Sequence, residues 1–119
     1  MSKLLIVDDE PDVREFAKSF FKKRSIDVFT ASGGIQALQL VSQELPDLIL
    51  LDVRMEEMSG IEVLRALRAR NFQTKVIMVT GVEDDEVVGE ANQLGVMGYI
   101  HKPLVLDELE KIVLAQLKQ

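Results

Sequence analysis

A doubly wound α/β fold, with five parallel strands in the order 2-1-3-4-5, is the architecture this sequence predicts. Three observations carry that expectation. Short apolar runs alternate with helical periodicities five times along the chain. Three of the runs have the near-continuous apolar character of strands covered on both faces. Four of the five end on a polar or charged group, so strands that share one direction deliver those groups to one rim.

The runs stand at Lys3–Val7, Asp27–Ala31, Leu48–Leu51, Lys75–Val79 and Gly98–His101. The first, third and fourth read as fully covered strands. After the first run, Val13, Phe16, Ala17, Phe20 and Phe21 fall on one helical face, and Pro11 suits a first turn. Residues 33–44 bring Ile35, Leu38 and Val41 together, with Ser32 as the expected N-cap. Residues 60–70 open on a capping box, Ser59 and Glu62, and carry Ile61, Leu64 and Leu67. Residues 84–94 have Asp84 and Asp85 as caps, and Gly89 interrupts them, at a cost of about 1 kcal/mol against Ala. That helix is expected to be the least rigid. Residues 107–117 offer a second box, Asp107 and Glu110, ahead of Leu109, Ile112, Val113 and Leu117. Right-handed crossovers then place helices on both faces of a flavodoxin-like (βα)5 sheet.

The 119 residues suffice for one domain, 1–119, with no repeat, low-complexity tract or linker that divides it. Hydrophobic residues make 47% and charged residues 29%, as in ordinary globular chains. With no cysteine, disulfides and thiolate metal sites are excluded. Apolar runs of about four residues are far too short to span a membrane, and the start "MSKLLIVDDE" reads as mature structure rather than a signal peptide. A cytoplasmic location is the expectation. The formal charge of −6 argues against direct nucleic-acid binding by this segment. The one basic cluster, Lys22-Lys23-Arg24, reads as a solvated helix end that complements the macrodipole.

Open α/β sheets bind ligands beyond the strands' C-terminal ends, where the order reverses between strands 1 and 3. Strand 1 ends in Asp8-Asp9-Glu10, strand 3 in Asp52, strand 4 in Thr80-Gly81 and strand 5 in Lys102-Pro103. The convergent set is Asp8, Asp9, Asp52, Thr80 and Lys102. Taken singly, Asp9 and Glu10 are ordinary helix-start acids and Lys102 an ordinary surface lysine. Together, three carboxylates in one crevice repel unless positive charge intervenes. Lys102 supplies one charge, and a hard divalent cation such as Mg²⁺, held by one or two carboxylates with waters and phosphate oxygens, supplies the rest. Cation, hydroxyl and ammonium would surround a phosphoryl group, whose transfer depends on positioning and charge neutralisation. A carboxylate can itself accept the group, and Asp52 on the central strand is the best placed.

The ordered set "LLIVDDEPDVRE", "PDLILLDVRMEEMSGIEVL", "VIMVTG" and "GYIHKPL" resembles, over the whole chain, the receiver domain of bacterial two-component response regulators. The resemblance implies a phosphorelay switch: phosphoryl transfer from a histidine kinase or phosphotransfer protein to Asp52, with Mg²⁺. It implies Asp9 as a direct metal ligand, Asp8 acting more through water, and the backbone carbonyl of Arg54 as the remaining protein ligand. Lys102 resembles the lysine that pairs with phosphoryl oxygens, and Pro103 the proline after it, often preceded by a cis bond. Thr80 and Tyr99 resemble the switch pair, and Gly81 the small residue that lets the phosphoryl group approach. The implied readout surface is helix 4, strand 5 and helix 5, acting on an output domain or target protein, and the resemblance also allows a phosphorylation-dependent homodimer. No turnover of an external substrate is expected beyond the chain's own phosphorylation and dephosphorylation at Asp52. His101, the one histidine, reads as an exposed partner-surface residue. Two departures stand out: Glu56 occupies a position where family loops often carry Pro, and Arg54 with Val82 is a less common pair at positions that help set phosphoryl lifetime. The rival reading, an aspartate-nucleophile phosphatase, fits less well, because Asp8-Asp9-Glu10 breaks the Asp-x-Asp motif and no insertion is long enough for a substrate cap.

Overall fold

The computed structural model describes residues 2–81 and 85–118, without the side chains of Asp85 and Glu86. Strand and helix alternate along the chain as β1 (Lys3–Val7), α1 (Pro11–Lys22), β2 (Asp27–Ala31), α2 (Gly34–Glu44), β3 (Leu48–Asp52), α3 (Gly60–Ala69), β4 (Lys75–Thr80), α4 (Asp85–Gln93), β5 (Gly98–His101) and α5 (Leu106–Leu117). Every strand pairing is parallel, and the order is β2-β1-β3-β4-β5, as expected.

Alternation along the strands divides the core in two. Leu4, Ile6, Leu48, Leu50, Ile77 and Val79 pack with Ala17 and Phe21 of α1 and Leu109 and Val113 of α5. Leu5, Val7, Ile49, Leu51, Val76 and Met78 face the other way, onto Val41, Leu64, Leu67 and Ala91 of α2, α3 and α4. Burying each such side chain contributes roughly 1.5–3 kcal/mol. Both cores end at the same rim, so the polar residues that follow are carried by the most buried backbone of the molecule.

The start of α3 is fixed against the end of β3. Ser59 Oγ accepts from the Glu62 N–H at 3.3 Å, and Glu62 Oε2 accepts from the Ser59 N–H at 3.0 Å, which completes the expected capping box. The Gly60 N–H donates to the Val53 carbonyl at 2.9 Å. A Cβ at Gly60 would lie 2.2 Å from the Asp52 carbonyl oxygen, so only glycine permits this approach.

Several local expectations are corrected. Gly33, not Ser32, is the N-cap of α2; the Ser32 hydroxyl and N–H both turn to Gln36 Oε1. Ile35 is 63% exposed: Leu38 and Val41 are buried as expected, but Gly34, close against Met58 and Val63, and Ala37 complete the inward face in its place. Phe16 is 46% exposed: Ala17 and Phe21 occupy the centre of the α1 contact and leave it at the edge. The box expected at Asp107 and Glu110 does not form, since Val105 is the N-cap of α5 and Glu110 pairs with Arg24. Arg24 also stacks on the Phe20 ring, 3.6 Å from its centroid, so the basic cluster does more than complement a helix end: it ties α1 to α5. The capping side chains expected at Asp84 and Asp85, and position Val82, lie outside the described residues. Gly89 stands within α4, exposed. Among the described residues no helix is long and apolar enough to cross a membrane.

The junction of β3 and α3 gives an ordered pair of expectations for urea denaturation. Ser59→Ala lowers stability by about 1 kcal/mol, the usual value of a lost cap. Gly60→Ala lowers it by about 2 kcal/mol or more, because the added methyl forces backbone apart. Equal losses in the two variants would contradict the close approach.

Candidate functional site

Asp8, the first residue past β1, and Asp52, the last of β3, are each only 2% exposed, though both are carboxylates. Such burial is costly unless the charge is paired and hydrogen-bonded. Lys102, just past β5, provides the pairing: its Nζ lies 3.2 Å from Asp8 Oδ2, 3.2 Å from Asp52 Oδ2 and 3.6 Å from Glu10 Oε1. The other Asp52 oxygen, Oδ1, accepts from the Arg54 N–H at 3.2 Å, and Asp8 Oδ1 accepts from the Glu10 N–H at 2.9 Å. Arg14 on α1 donates to the Asp8 carbonyl at 2.7 Å and anchors the loop that carries the acids.

Charge is not balanced by these contacts. Burial, and then the Asp8 charge, push the Asp52 carboxyl above the usual carboxylate range, against the pull of Lys102 and the Arg54 N–H. Burial alone would lower the Lys102 ammonium, but Asp52 and Asp8 outweigh it and hold it above the usual lysine range. Carboxylate oxygens of Asp8, Asp9 and Glu10 can all lie within 4.8 Å of one another, a donor set of hard oxygens. Those ligands fit a cation such as Mg²⁺ far better than a soft metal.

The structure therefore brings together Asp8, Asp52 and Lys102, with Asp9 beside them. Arg54 follows Asp52 directly, and its N–H contacts the Asp52 carboxylate. Glu10 joins the cluster, although its place before α1 reads in the sequence as that of a helix-start acid. It occupies the α1 N-cap position but makes no side-chain cap bond, so its carboxylate is available to Lys102. Its place in an unbroken run of three acids was the signal. The Lys102–Pro103 peptide bond is cis. Lys102, Pro103 and Leu104 also border an apolar groove with Val13 and the exposed Phe16. Glu56 is exposed across the rim, where it lines a depression with Asp9 and Met55 and adds negative charge at the mouth.

Thr80 and Tyr99, the pair expected to form a switch, stand on the opposite face of the sheet. Thr80 is 5% exposed at the end of β4, and the Lys102 N–H donates to its carbonyl at 2.7 Å. Its Oγ1 lies 2.9 Å from His101 Nδ1. His101 is exposed as expected, but it is also the hydrogen-bond partner of Thr80, a role the sequence reading missed. The register of β4 and β5, which pairs Thr80 with His101, could have revealed it. The Tyr99 hydroxyl lies 3.0 Å from the Val88 carbonyl and 2.7 Å from Asn92 Oδ1, so it joins β5 to α4, and burial raises its pKa. Among the described residues, none has an atom within 4 Å of where a Gly81 Cβ would stand.

Comparison with known proteins agrees with this geometry. The family model described as "Response regulator receiver domain" matches residues 4–114. The chain is 35% identical over 111 residues to Sporulation initiation phosphotransferase F of Bacillus subtilis, covering 93% of this chain and 90% of that protein. It is 38% identical over 113 residues to Regulatory protein AtoC of Escherichia coli, covering 95% of this chain but 24% of that longer protein. The crystal structure of the Vibrio cholerae chemotaxis protein CheY4 superposes with a TM-score of 0.91 at 29% identity, covering 98% of this chain and 99% of that one.

The excess of acid over base makes two opposite stability changes expected in metal-free buffer. Asp52→Asn removes a buried like charge and raises the melting temperature, by about 4 °C for each kcal/mol gained in a chain of this size. Lys102→Met leaves Asp8 and Asp52 unpaired and lowers stability by about 2–3 kcal/mol, near the low end for breaking a buried pair. Thermal melts in chelator check both, and a destabilised Asp52→Asn would contradict the charge balance.

Proposed function

This chain belongs to the response regulator receiver domains, a family of phosphorylation-dependent signalling switches, and we propose that residues 1–119 form one such domain with Asp52 as its phosphoacceptor. The observation that carries the assignment is the setting of the Asp52 carboxylate: the end of the central strand, one oxygen on Lys102 and the other on the Arg54 N–H. Both contacts aim the oxygens without consuming them covalently, and β4 and β5 carry Thr80 and Lys102 to the same rim.

In this reading an Asp52 oxygen attacks the phosphorus of a phosphohistidine on a histidine kinase or phosphotransfer protein. The P–N bond breaks, its electron pair returns to the imidazole, and an acyl phosphate forms on Asp52. Lys102 keeps its proton and follows the charge from the carboxylate to the phosphoryl oxygens. Thr80 Oγ and the Gly81 N–H donate to the remaining oxygens, and the lack of a side chain at Gly81 lets the group approach. Asp8, Asp9, Asp52 and the Arg54 carbonyl would hold Mg²⁺, which when bound neutralises charge on the phosphoryl oxygens. Water attack at phosphorus later releases phosphate and restores the carboxylate, so the chain modifies and clears itself without turning over an external substrate.

The readout runs through α4, β5 and α5. Tyr99 is bonded to α4, the exposed Met97 and Val105 lie in the segments that join these elements, and the exposed Leu106 opens α5. A phosphoryl group that draws Thr80 shifts the population of this surface rather than the fold. The chain spans nine-tenths of the phosphotransferase F relative but a quarter of AtoC. An output domain or a separate target protein, including a second copy in a phosphorylation-dependent homodimer, is the partner of that face. The cytoplasm, where histidine kinases act on such domains, is its compartment.

Intact-mass spectrometry after incubation with a small acyl phosphate and Mg²⁺ tests the assignment. The wild-type chain gains one phosphoryl group per molecule, Asp52→Asn gains none, and no sustained release of product from an external phosphomonoester accompanies it. The same phosphorylated species from Asp52→Asn would overturn the site, and steady multiple turnover would favour a phosphatase.

A further inference from the structure

We infer that His101 is a positioning residue for the switch: it latches the Thr80 hydroxyl in the unphosphorylated chain and competes with the phosphoryl group for it. The inference deepens the proposed function and rests on Asp52 being the acceptor.

The β4–β5 register pairs Thr80 with His101 side by side, and the 2.9 Å contact from Thr80 Oγ1 to His101 Nδ1 closes across that pair. Backbone bonding reinforces it, because the Lys102 N–H donates to the Thr80 carbonyl at 2.7 Å and fixes the strand ends relative to each other. Thr80 is almost fully buried, so its hydroxyl has little access to water as an alternative partner. A hydroxyl has one proton. With Nδ1 unprotonated, Thr80 spends that proton on His101 and has none for a phosphoryl oxygen.

Strand alternation makes the competition directional. Asp52 and Lys102 continue the face of Leu50 and Ile100, toward α1 and α5. Thr80 continues the face of Val76 and Met78, toward α2, α3 and α4, and His101 follows Tyr99 on that side. The hydroxyl is therefore held on the face away from the acceptor. Reaching a phosphoryl group on Asp52 requires it to turn off His101, and the lost hydrogen bond is a cost set by residue 101. That residue thus sets the resting balance of the switch without touching the reacting atoms.

The test measures affinity for beryllofluoride, a non-hydrolysable phosphoryl mimic, with saturating Mg²⁺ in the purified 119-residue chain. His101→Val removes the latch and is expected to tighten binding about fivefold, the factor a typical net hydrogen bond gives. His101→Asn places a polar atom near the Nδ1 position and is expected to return affinity to the wild-type value. In a Thr80→Val background, His101→Val is expected to have no effect, because there is nothing left to hold. A role of His101 in edge-strand stability alone would persist in that background and would not be rescued by Asn. Wild-type affinity in His101→Val, weaker binding in it, or an effect undiminished by Thr80→Val would overturn the latch while leaving the acceptor assignment intact. Failure of the wild-type chain to bind the mimic at all would overturn both.

Discussion

One ammonium among four carboxylates is the constraint on which the rest depends. Lys102 contacts Asp8, Asp52 and Glu10, and Asp9 completes the acid cluster, so four negative groups and one positive leave a formal charge of −3. Each 3.2 Å contact has a gross Coulomb attraction of roughly 5 kcal/mol at an effective dielectric near 20, before desolvation is set against it. That is enough to hold Asp52 and Asp8 in a buried setting, but not enough to satisfy them. Burial, and then the Asp8 charge, raise the Asp52 carboxyl despite the pull of Lys102. Under the proposed function, this excess of acid favours a divalent cation beside the phosphoryl group, and charge then couples phosphorylation to metal binding.

The sheet exists, in functional terms, to hold that imbalance in place. Five parallel strands end at one rim, and their two-residue alternation separates Asp52 and Lys102 from Thr80 and Tyr99. Asp52 is held from behind by Gly60, whose lack of a side chain lets α3 begin against its carbonyl, and by the Ser59–Glu62 box that fixes the first turn. On the other face, Thr80 is tied to His101 and Tyr99 is tied to α4. A change in charge at Asp52 therefore meets two hydrogen-bonded contacts that can be exchanged, with a rigid core beneath them.

Much of this was legible in the sequence, for an identifiable reason. Apolar runs such as Leu48–Leu51 leave no doubt about which strands are covered, and the acids, threonine and lysine that follow them converge because parallel strands share a direction. Pattern failed where one side chain had a choice of partners. Glu10 and Glu110 were both read as helix-start acids; the first serves Lys102 and the second Arg24. Ser32 had the chemistry of a cap but bonds Gln36, and Ile35 had helical spacing but Gly34 and Ala37 complete the inward face in its place. His101 was read from its exposure, whereas its meaning comes from strand register, which relates residues 21 positions apart. Periodicity predicts faces; it does not rank competing hydrogen bonds.

Asp52 as the reacting carboxylate is the central claim, and chemical trapping tests it most directly. Borohydride reduces an acyl phosphate to an alcohol, which converts a phosphorylated aspartate to homoserine. Peptide mapping by mass spectrometry after treatment with a small acyl phosphate, Mg²⁺ and borohydride should find homoserine at position 52 alone. Homoserine at Asp8 or Asp9, or phosphorylated protein that yields none at 52, would contradict the account.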